Sequence, residues 1–402
     1  MNQIQPLKGF RDFLPADAAA RTWLKNKIIP ILESWGYEPL ETPTLEPVEL
    51  FTGEVGEDEK LFYKFTDFGS REVMLRYDQT LPTCRVVAQN LNTLVFPWRR
   101  YQIQNNFRAE KPQAGRFREF TQIDFDIFGV ESRNADAEII ALTLDIYKQL
   151  GFKTAKVLLN SRELLKDLPY PAIVAIDKLA KIGESGVIAD MAAKNISGED
   201  AKKYLEYVNN LKPNDEINTI FNYLNNCGIA KTAYQFQPTL ARSFSYSQGP
   251  IWEIIIPEYP SGSVAGGERY DGIFTGLIGR PFPGTGIAVG VDRTLEAAQT
   301  QNLVPAYSPR TQILITVFSP NLLSLTLTLT LTLRKLGLSV EVYPDPAVKL
   351  DKQLKFASKK GIPFVIIIGP EEAEKNLITL KNMQTGEQKQ ITPDQVIDNC
   401  KL

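Results

Sequence analysis

Between Arg108 and Asp126 the chain places Arg108, Glu110, Arg116 and Arg118 ahead of Phe120, Gln122, Asp124 and Asp126. If a strand begins near Phe120, then Phe120, Gln122, Asp124 and Asp126 share one face, because side chains alternate along a strand. Arg116 and Arg118 continue the same parity toward the preceding loop if the strand stays regular there. That face offers cations at one end, an aromatic ring in between, and an amide and two carboxylates at the other. It suits a ligand with phosphates at one end and an amine or polar ring at the other, because a guanidinium fork pairs with two phosphate oxygens. Unpaired buried charge is costly. Asp124 and Asp126 therefore either face a ligand or pair with nearby arginines in a structural network.

Two further groups carry polar chemistry. "LRYDQT" sets Arg76, Asp78 and Thr80 at a strand end, and "GTGIAVGVDR" runs through Gly284, Gly286 and Gly290 to Arg293. The chain has no histidine, which excludes Ser-His-Asp and Cys-His catalysis and every histidine-ligated metal. Cys84, Cys227 and Cys400 lie far apart and form no metal-binding spacing, so no metal is expected on His or Cys ligands. What remains is chemistry that neutralises phosphate charge and positions reactants. The net charge of −2 means that any nucleic-acid contact must come from local basic patches.

The elements that must position these groups follow from periodicity. Residues 16–36 predict an amphipathic helix, followed by an extended stretch broken by Pro39, Pro43 and Pro47. "REVMLRYDQT" predicts a strand and turn, and "LPTCRVVAQNL" a helix. "FPWRRYQIQNNFRAE" and the Phe120 segment predict a hairpin around the "KPQAGR" loop. "NADAEIIALTLDIYKQLG" predicts a helix ending at Gly151. Residues 168–232 are helix-rich and predict an inserted subdomain. "GSVAGGERYDG" and "PGTGIAVGVDR" are expected to be glycine-rich turns. From about 310 onward, "TQILITVF", "LSVEVYP" and "PFVIIIG" alternate with helix-length segments, as in a small α/β domain with parallel strands. "NLLSLTLTLTLTLRKLG" has the period of a strand, but its position between two such strands predicts a crossover helix. No segment is apolar enough to span a bilayer and the N-terminus lacks a signal-peptide core, so a cytoplasmic protein is expected.

In order and spacing, "KGFRDFLP", "RAEKPQAGRFREFTQIDFDIFG", "AGGERYDG" and "GTGIAVGVDR" resemble the histidyl-tRNA synthetase family. "ASKKGIPFVIIIG" and "LKNMQTGEQ" resemble its anticodon-binding domain, so the resemblance covers nearly the whole chain. It implies an α+β fold: a class II antiparallel-sheet catalytic core over 1–167 and 233–305, a helical insertion over 168–232, and an α/β anticodon-binding domain over 310–402. It further implies a homodimer with Pro43 near the interface, and ATP with Mg2+, histidine and tRNA(His) as ligands. By the same resemblance, Arg108 and Arg242 are catalytic, and Arg108, Glu110, Arg116, Phe120 and Arg293 bind ATP. Asp78, Thr80, Gln122, Asp126, Arg242, Tyr246 and Ser247 bind histidine, and Gln113 and Arg116 meet the tRNA acceptor end. Lys349, Lys352, Lys355, Lys359, Lys360 and Lys381 are expected to contact the tRNA backbone.

One motif departs from the family. Where the family has Arg-Gly-Leu-Asp-Tyr-Tyr, this chain has "RSFSYS", Arg242 to Ser247. Ser245 replaces an aspartate, and Ser247 replaces a tyrosine whose hydroxyl serves the imidazole. Ring recognition then falls to Ser247 through a water, to Gln248, or to Tyr246. The alternative reading is a non-charging paralog, the regulatory subunit of ATP phosphoribosyltransferase, which usually lacks the C-terminal domain.

Overall fold

In the computed structural model, residues 4–113, 115–242 and 246–400 are described. They form two compact units, residues 1–305 and 306–402, divided after Pro305.

The first unit is built on an eight-stranded sheet. Its order is Glu38–Pro39, Trp98–Phe107, Glu119–Phe128, Gly284–Gly290, Ala265–Arg269, Gln248–Ile255, Lys156–Ser161 and Tyr234–Phe236. The pairs are antiparallel except at the two edges, where Glu38–Pro39 and Tyr234–Phe236 run parallel to their neighbours. One face is covered by helices. Helix Pro15–Ser34 starts on a proline, favoured there because the first-turn N–H has no helical partner anyway. It buries Ala20, Leu24, Ile28, Ile31 and Leu32 at helical spacing. Helix Asn134–Gln149 buries Ile139, Ile140, Leu142 and Ile146 against Ile123, Phe125 and Ile127 of the sheet. Asp136 of this helix pairs with Arg269 at 3.0 Å and accepts the Thr285 hydroxyl at 2.6 Å, so a buried charge pair locks the helix to two central strands.

The segments expected to be glycine-rich turns are instead the adjacent central strands Ala265–Arg269 and Gly284–Gly290. Their glycines answer to close approach. A Cβ on Gly267 would come within 2.3 Å of the Trp252 ring, and one on Gly284 within 2.8 Å of Tyr270. Turn chemistry and tight packing use the same residue, and spacing alone does not separate them.

Four helices lie between residues 170 and 226. The first three share a core of Ile173, Ile176, Val187, Met191, Leu205 and Val208. Helix Asp215–Asn226 instead places Ile217, Ile220 and Leu224 in the main core of the sheet. A small sheet pairs Glu72–Leu75 with Leu45–Pro47 and Lys64–Thr66.

The second unit has a five-stranded sheet ordered Val340–Val342, Ile313–Ile315, Phe364–Ile367, Ile378–Asn382 and Gln388–Ile391. The first three strands are parallel, as expected, and an antiparallel hairpin extends them. The Leu/Thr repeat is the crossover helix Leu323–Lys335. Thr326, Leu329, Thr330 and Leu333 are its buried positions, and Thr326 and Thr330 satisfy their hydroxyls on the carbonyls of Leu322 and Thr326.

Candidate active site

The sheet face opposite the helices collects the polar residues. Arg100, Gln102, Gln104 and Asn106 stand in register with Asp126, Asp124, Gln122 and Phe120 across the hairpin. The strand beginning at Glu119 is therefore regular where alternation required it, with Ile123, Phe125 and Ile127 turned to the helices.

At the centre, Asp126 is not left open. Arg100, fully buried, approaches its Oδ2 at 2.5 Å, and the Tyr270 hydroxyl donates to its Oδ1. Burial pushes the Asp126 carboxyl up, opposed by Arg100 and by that hydroxyl. Burial drives Asp124 well above the carboxylate range, and its Oδ1 has no partner among the described residues. Arg100 and Tyr270 were missed from sequence. Parity was the available signal for Arg100, which stands an even number of residues before Arg108, just beyond the strand's end at Phe107.

Beside this cluster, Asp78 caps the start of helix Thr80–Gln89, its Oδ1 accepting the Leu81 N–H at 3.2 Å. Its Oδ2 is buried and unpartnered among the described residues, and burial pushes the carboxyl up to about 6. Thr80, half-buried, opens the same helix. Gln122 accepts from the Asn106 side chain, and its carbonyl accepts from Gln79 at 3.3 Å. Arg76 is buried on the carbonyls of Thr42, Pro43 and Asn105, so it clamps the fold and does not face the site.

Arg108 donates to the Tyr77 carbonyl at 3.3 Å, with its guanidinium 4.1 Å from the Tyr77 ring centroid and 5.1 Å from that of Phe120. Arg116 pairs with Glu110 at 3.1 Å and bridges to Gln113 across the loop. Arg118 is drawn away to the carbonyls of Glu110 and Lys8, so the parity extrapolated from the strand ends at the loop. Arg293 donates to the carbonyls of Gly115 and Ser263 at 3.2 and 2.7 Å. Burial and then the nearby Arg116 push Arg293 below the ordinary arginine value, so two cations converge there.

Arg242 closes the other side. Its φ is +47°, a left-handed conformation uncommon for a side chain of this size. Its Nη2 meets Glu268 at 3.0 Å and its Nη1 lies 4.0 Å from Glu253. Against burial, which lowers it, Glu268 and Glu253 hold Arg242 above the ordinary arginine value. The Ser247 hydroxyl donates to the other oxygen of Glu268. Tyr246 is buried, and burial, followed by Asp78 and Glu268, raises its hydroxyl well above the usual range. Ser243, Phe244 and Ser245, the other altered positions of that motif, lie outside the described residues. Chemically, this face holds paired and unpaired carboxylates beside four guanidiniums, those of Arg100, Arg108, Arg242 and Arg293. It is an arrangement for a ligand bearing both cationic and phosphate groups.

Residues 9–198 match the family model described as histidyl-tRNA synthetase, and residues 312–401 match that of an anticodon binding domain. Over 419 residues the chain is 34% identical to the histidine–tRNA ligase of Wolinella succinogenes, covering 95% of this chain and 94% of that protein. The chain belongs to the histidyl-tRNA synthetase family. The histidine–tRNA ligase of Cytophaga hutchinsonii is likewise 34% identical, over 97% of this chain and 98% of its own. The crystal structure of a histidyl-tRNA synthetase from Nostoc sp. superposes with a TM-score of 0.80 at 26% identity, covering 100% of this chain and 99% of that one. The synthetase match falls within the first unit and the anticodon binding domain match within the second.

In the second unit, five of the lysines expected to meet RNA lie on or next to helix Leu350–Lys360, and Lys381 lies on strand Ile378–Asn382. Lys355 is paired with Asp351 at 2.7 Å, and Lys360 with Glu341. Among the described residues no helix is long and apolar enough to cross a membrane.

Proposed function

We propose that this chain joins histidine to tRNA(His) in two steps on the polar sheet face. The histidine carboxylate attacks the α-phosphorus of ATP, pyrophosphate leaves, and a terminal ribose hydroxyl of the tRNA then displaces AMP from the adenylate. The observation that carries this reading is the juxtaposition of acid oxygens on Asp78 and Asp124, unpartnered among the described residues, with guanidiniums at both ends of one face.

In this reading Asp78, Thr80 and Gln122 take the α-ammonium, whose charge repays the cost of burying the unpartnered Asp78 oxygen. Asp126, held by Arg100 and Tyr270, and Ser247 with Tyr246 take the ring. Arg108 and Arg242 neutralise charge developing at the α-phosphate, while Arg293 and Arg116 hold the outer phosphates. Phe120 offers its ring to the adenine, with Glu110 beside it. Gln113 and Arg116 present the loop to the acceptor end of the tRNA. Among the described residues no group of three His, Cys, Asp or Glu could hold a metal, so magnesium would arrive on the ATP phosphates without a protein cage.

A homodimer accords with the exposed Leu45 and Phe65 on the small sheet beside Pro43. Such a reaction belongs in the cytoplasm. The anticodon-binding match over 312–401 favours charging over the regulatory paralog. ATP–pyrophosphate exchange with each amino acid in turn is the test. Exchange dependent on histidine alone is expected, and exchange with another amino acid, or with none, refutes the reading.

A further inference from the structure

Glu268 has no part in the roles just assigned, yet it stands on the site face with only 6% of its surface exposed. It alternates with Gly267 and Arg269, which turn to Trp252 and to Asp136 on the helix side. Both of its oxygens are engaged, one by Arg242 at 3.0 Å and the other by the Ser247 hydroxyl. The pairing of its strand with Gln248–Ile255 is regular up to Glu268↔Ile251 and then shifts, Arg269 facing Gln248. Gly249, at φ +61°, sits in that irregularity. A bulge of this kind re-aims the residues beside it, and here it brings Ser247 back to the carboxylate.

We propose that Glu268 is a positioning residue of the adenylation site, setting the Arg242 guanidinium with one oxygen and the Ser247 hydroxyl with the other. The inference rests on the function proposed above. Arg242 needs such a partner. Its backbone is in a sparsely populated conformation that persists only where its surroundings over-determine it. Arg162 grips the Arg242 carbonyl at 3.1 Å, and Gly266 leaves room for the guanidinium to lie across the strand. Glu268 then supplies the directional contact, a charge-assisted bond that fixes a long side chain. For Ser247 the consequence is polarity. With its proton committed to Glu268, its oxygen is left as an acceptor, which favours a substrate ring that presents an N–H. One carboxylate thus links the phosphate end of the site to the ring end. Its charge falls on Asp78 as well, adding to the burial that raises that acid.

The experiment is histidine-dependent pyrophosphate exchange by the full chain. It compares wild type, Glu268→Gln, Glu268→Ala, Arg242→Ala and the Glu268→Gln/Arg242→Ala double variant, with thermal unfolding of each. Glu268→Gln is expected to lower kcat by at least ~20-fold and raise KM for histidine several-fold, leaving KM for ATP within about twofold and Tm nearly unchanged. In the Arg242→Ala background the same change should cost less than about threefold, because residues acting through one another are not additive. If Glu268→Ala does not fold, the near-isosteric Gln variant decides. Equal losses in both backgrounds, an unchanged kcat, or a loss that follows Tm and affects both substrates alike overturns the inference alone. A wild type without histidine-dependent exchange overturns the proposed function and this inference together.

Discussion

Gly266→Ala separates the catalytic side chain from the fold that carries it. A Cβ at Gly266 would stand 1.9 Å from Nη1 of Arg242, where ordinary contact begins at 3.4 Å, so the guanidinium must retreat by about 1.5 Å. The obstacle is the far end of a flexible side chain, and Gly266 has no positive φ that alanine would resist. The fold should therefore tolerate the change within about 1 kcal/mol, helped by the lower chain entropy of alanine when unfolded. Catalysis should not tolerate it. The 3.0 Å contact with Glu268 would be lost, and a misplacement near 1 Å costs on the order of 100-fold in rate, about 2.7 kcal/mol of transition-state stabilisation. The neighbouring Gly267→Ala is the control. Its Cβ would meet the fully buried Trp252 ring at 2.3 Å, and overpacking a core costs roughly 1–3 kcal/mol or more of stability. The assay pairs pyrophosphate-exchange kinetics with thermal denaturation. Gly266→Ala should lose kcat and keep Tm, whereas Gly267→Ala should lose Tm. A Gly266→Ala enzyme within threefold of wild-type kcat, or one unfolding as early as Gly267→Ala, refutes the placement of Arg242 across that strand.

The folded pKa of Asp78, about 6, lies above its ordinary value of 3.8, so the folded chain binds the extra proton in that window. Ligand-free wild type should therefore lose stability relative to Asp78→Asn as pH rises from 4 to 6, by on the order of 2–3 kcal/mol, and level off above; parallel unfolding curves would remove the burial argument. Arg100→Ala strands the Asp126 carboxylate and should cost about 3–5 kcal/mol in denaturant unfolding, whereas a loss below 1 kcal/mol would show that the pair is not buried as described. Truncation after residue 308 removes a unit with its own core, so the remaining chain should keep histidine-dependent exchange and lose most tRNA charging; unchanged charging would defeat the anticodon assignment.

Much of this site was legible because strand parity is rigid. Once Phe120 began a strand, Gln122, Asp124 and Asp126 had to share a face, and they do. The Leu/Thr helix was legible from context against its own period, since a crossover between parallel strands was required there. What escaped depended on contacts between distant segments. Arg100 sits beside Arg99 and looks solvated in isolation; its burial follows from a register that pairs it with Asp126. Glu268 lay within an apparent glycine turn, and only the bulge at Gly249 brings Ser247 to it. The two glycine-rich strands look like turns because small residues mark close packing as readily as bends. Here Gly286 clears space for Asp126, whose Oδ1 would otherwise meet a Cβ at 1.7 Å.

The polar groups described on that face are guanidinium, carboxylate, amide and hydroxyl, and the chain contains no histidine at all. In a complex with histidine, the substrate would hold the sole imidazole present. With histidine labelled in its ring with 15N, those nitrogens can then be observed by nuclear magnetic resonance on unlabelled protein, free of any signal from a protein imidazole. The tautomer held against Asp126 and Ser247, and the pH at which the ring takes up a second proton, become directly measurable quantities of the bound state.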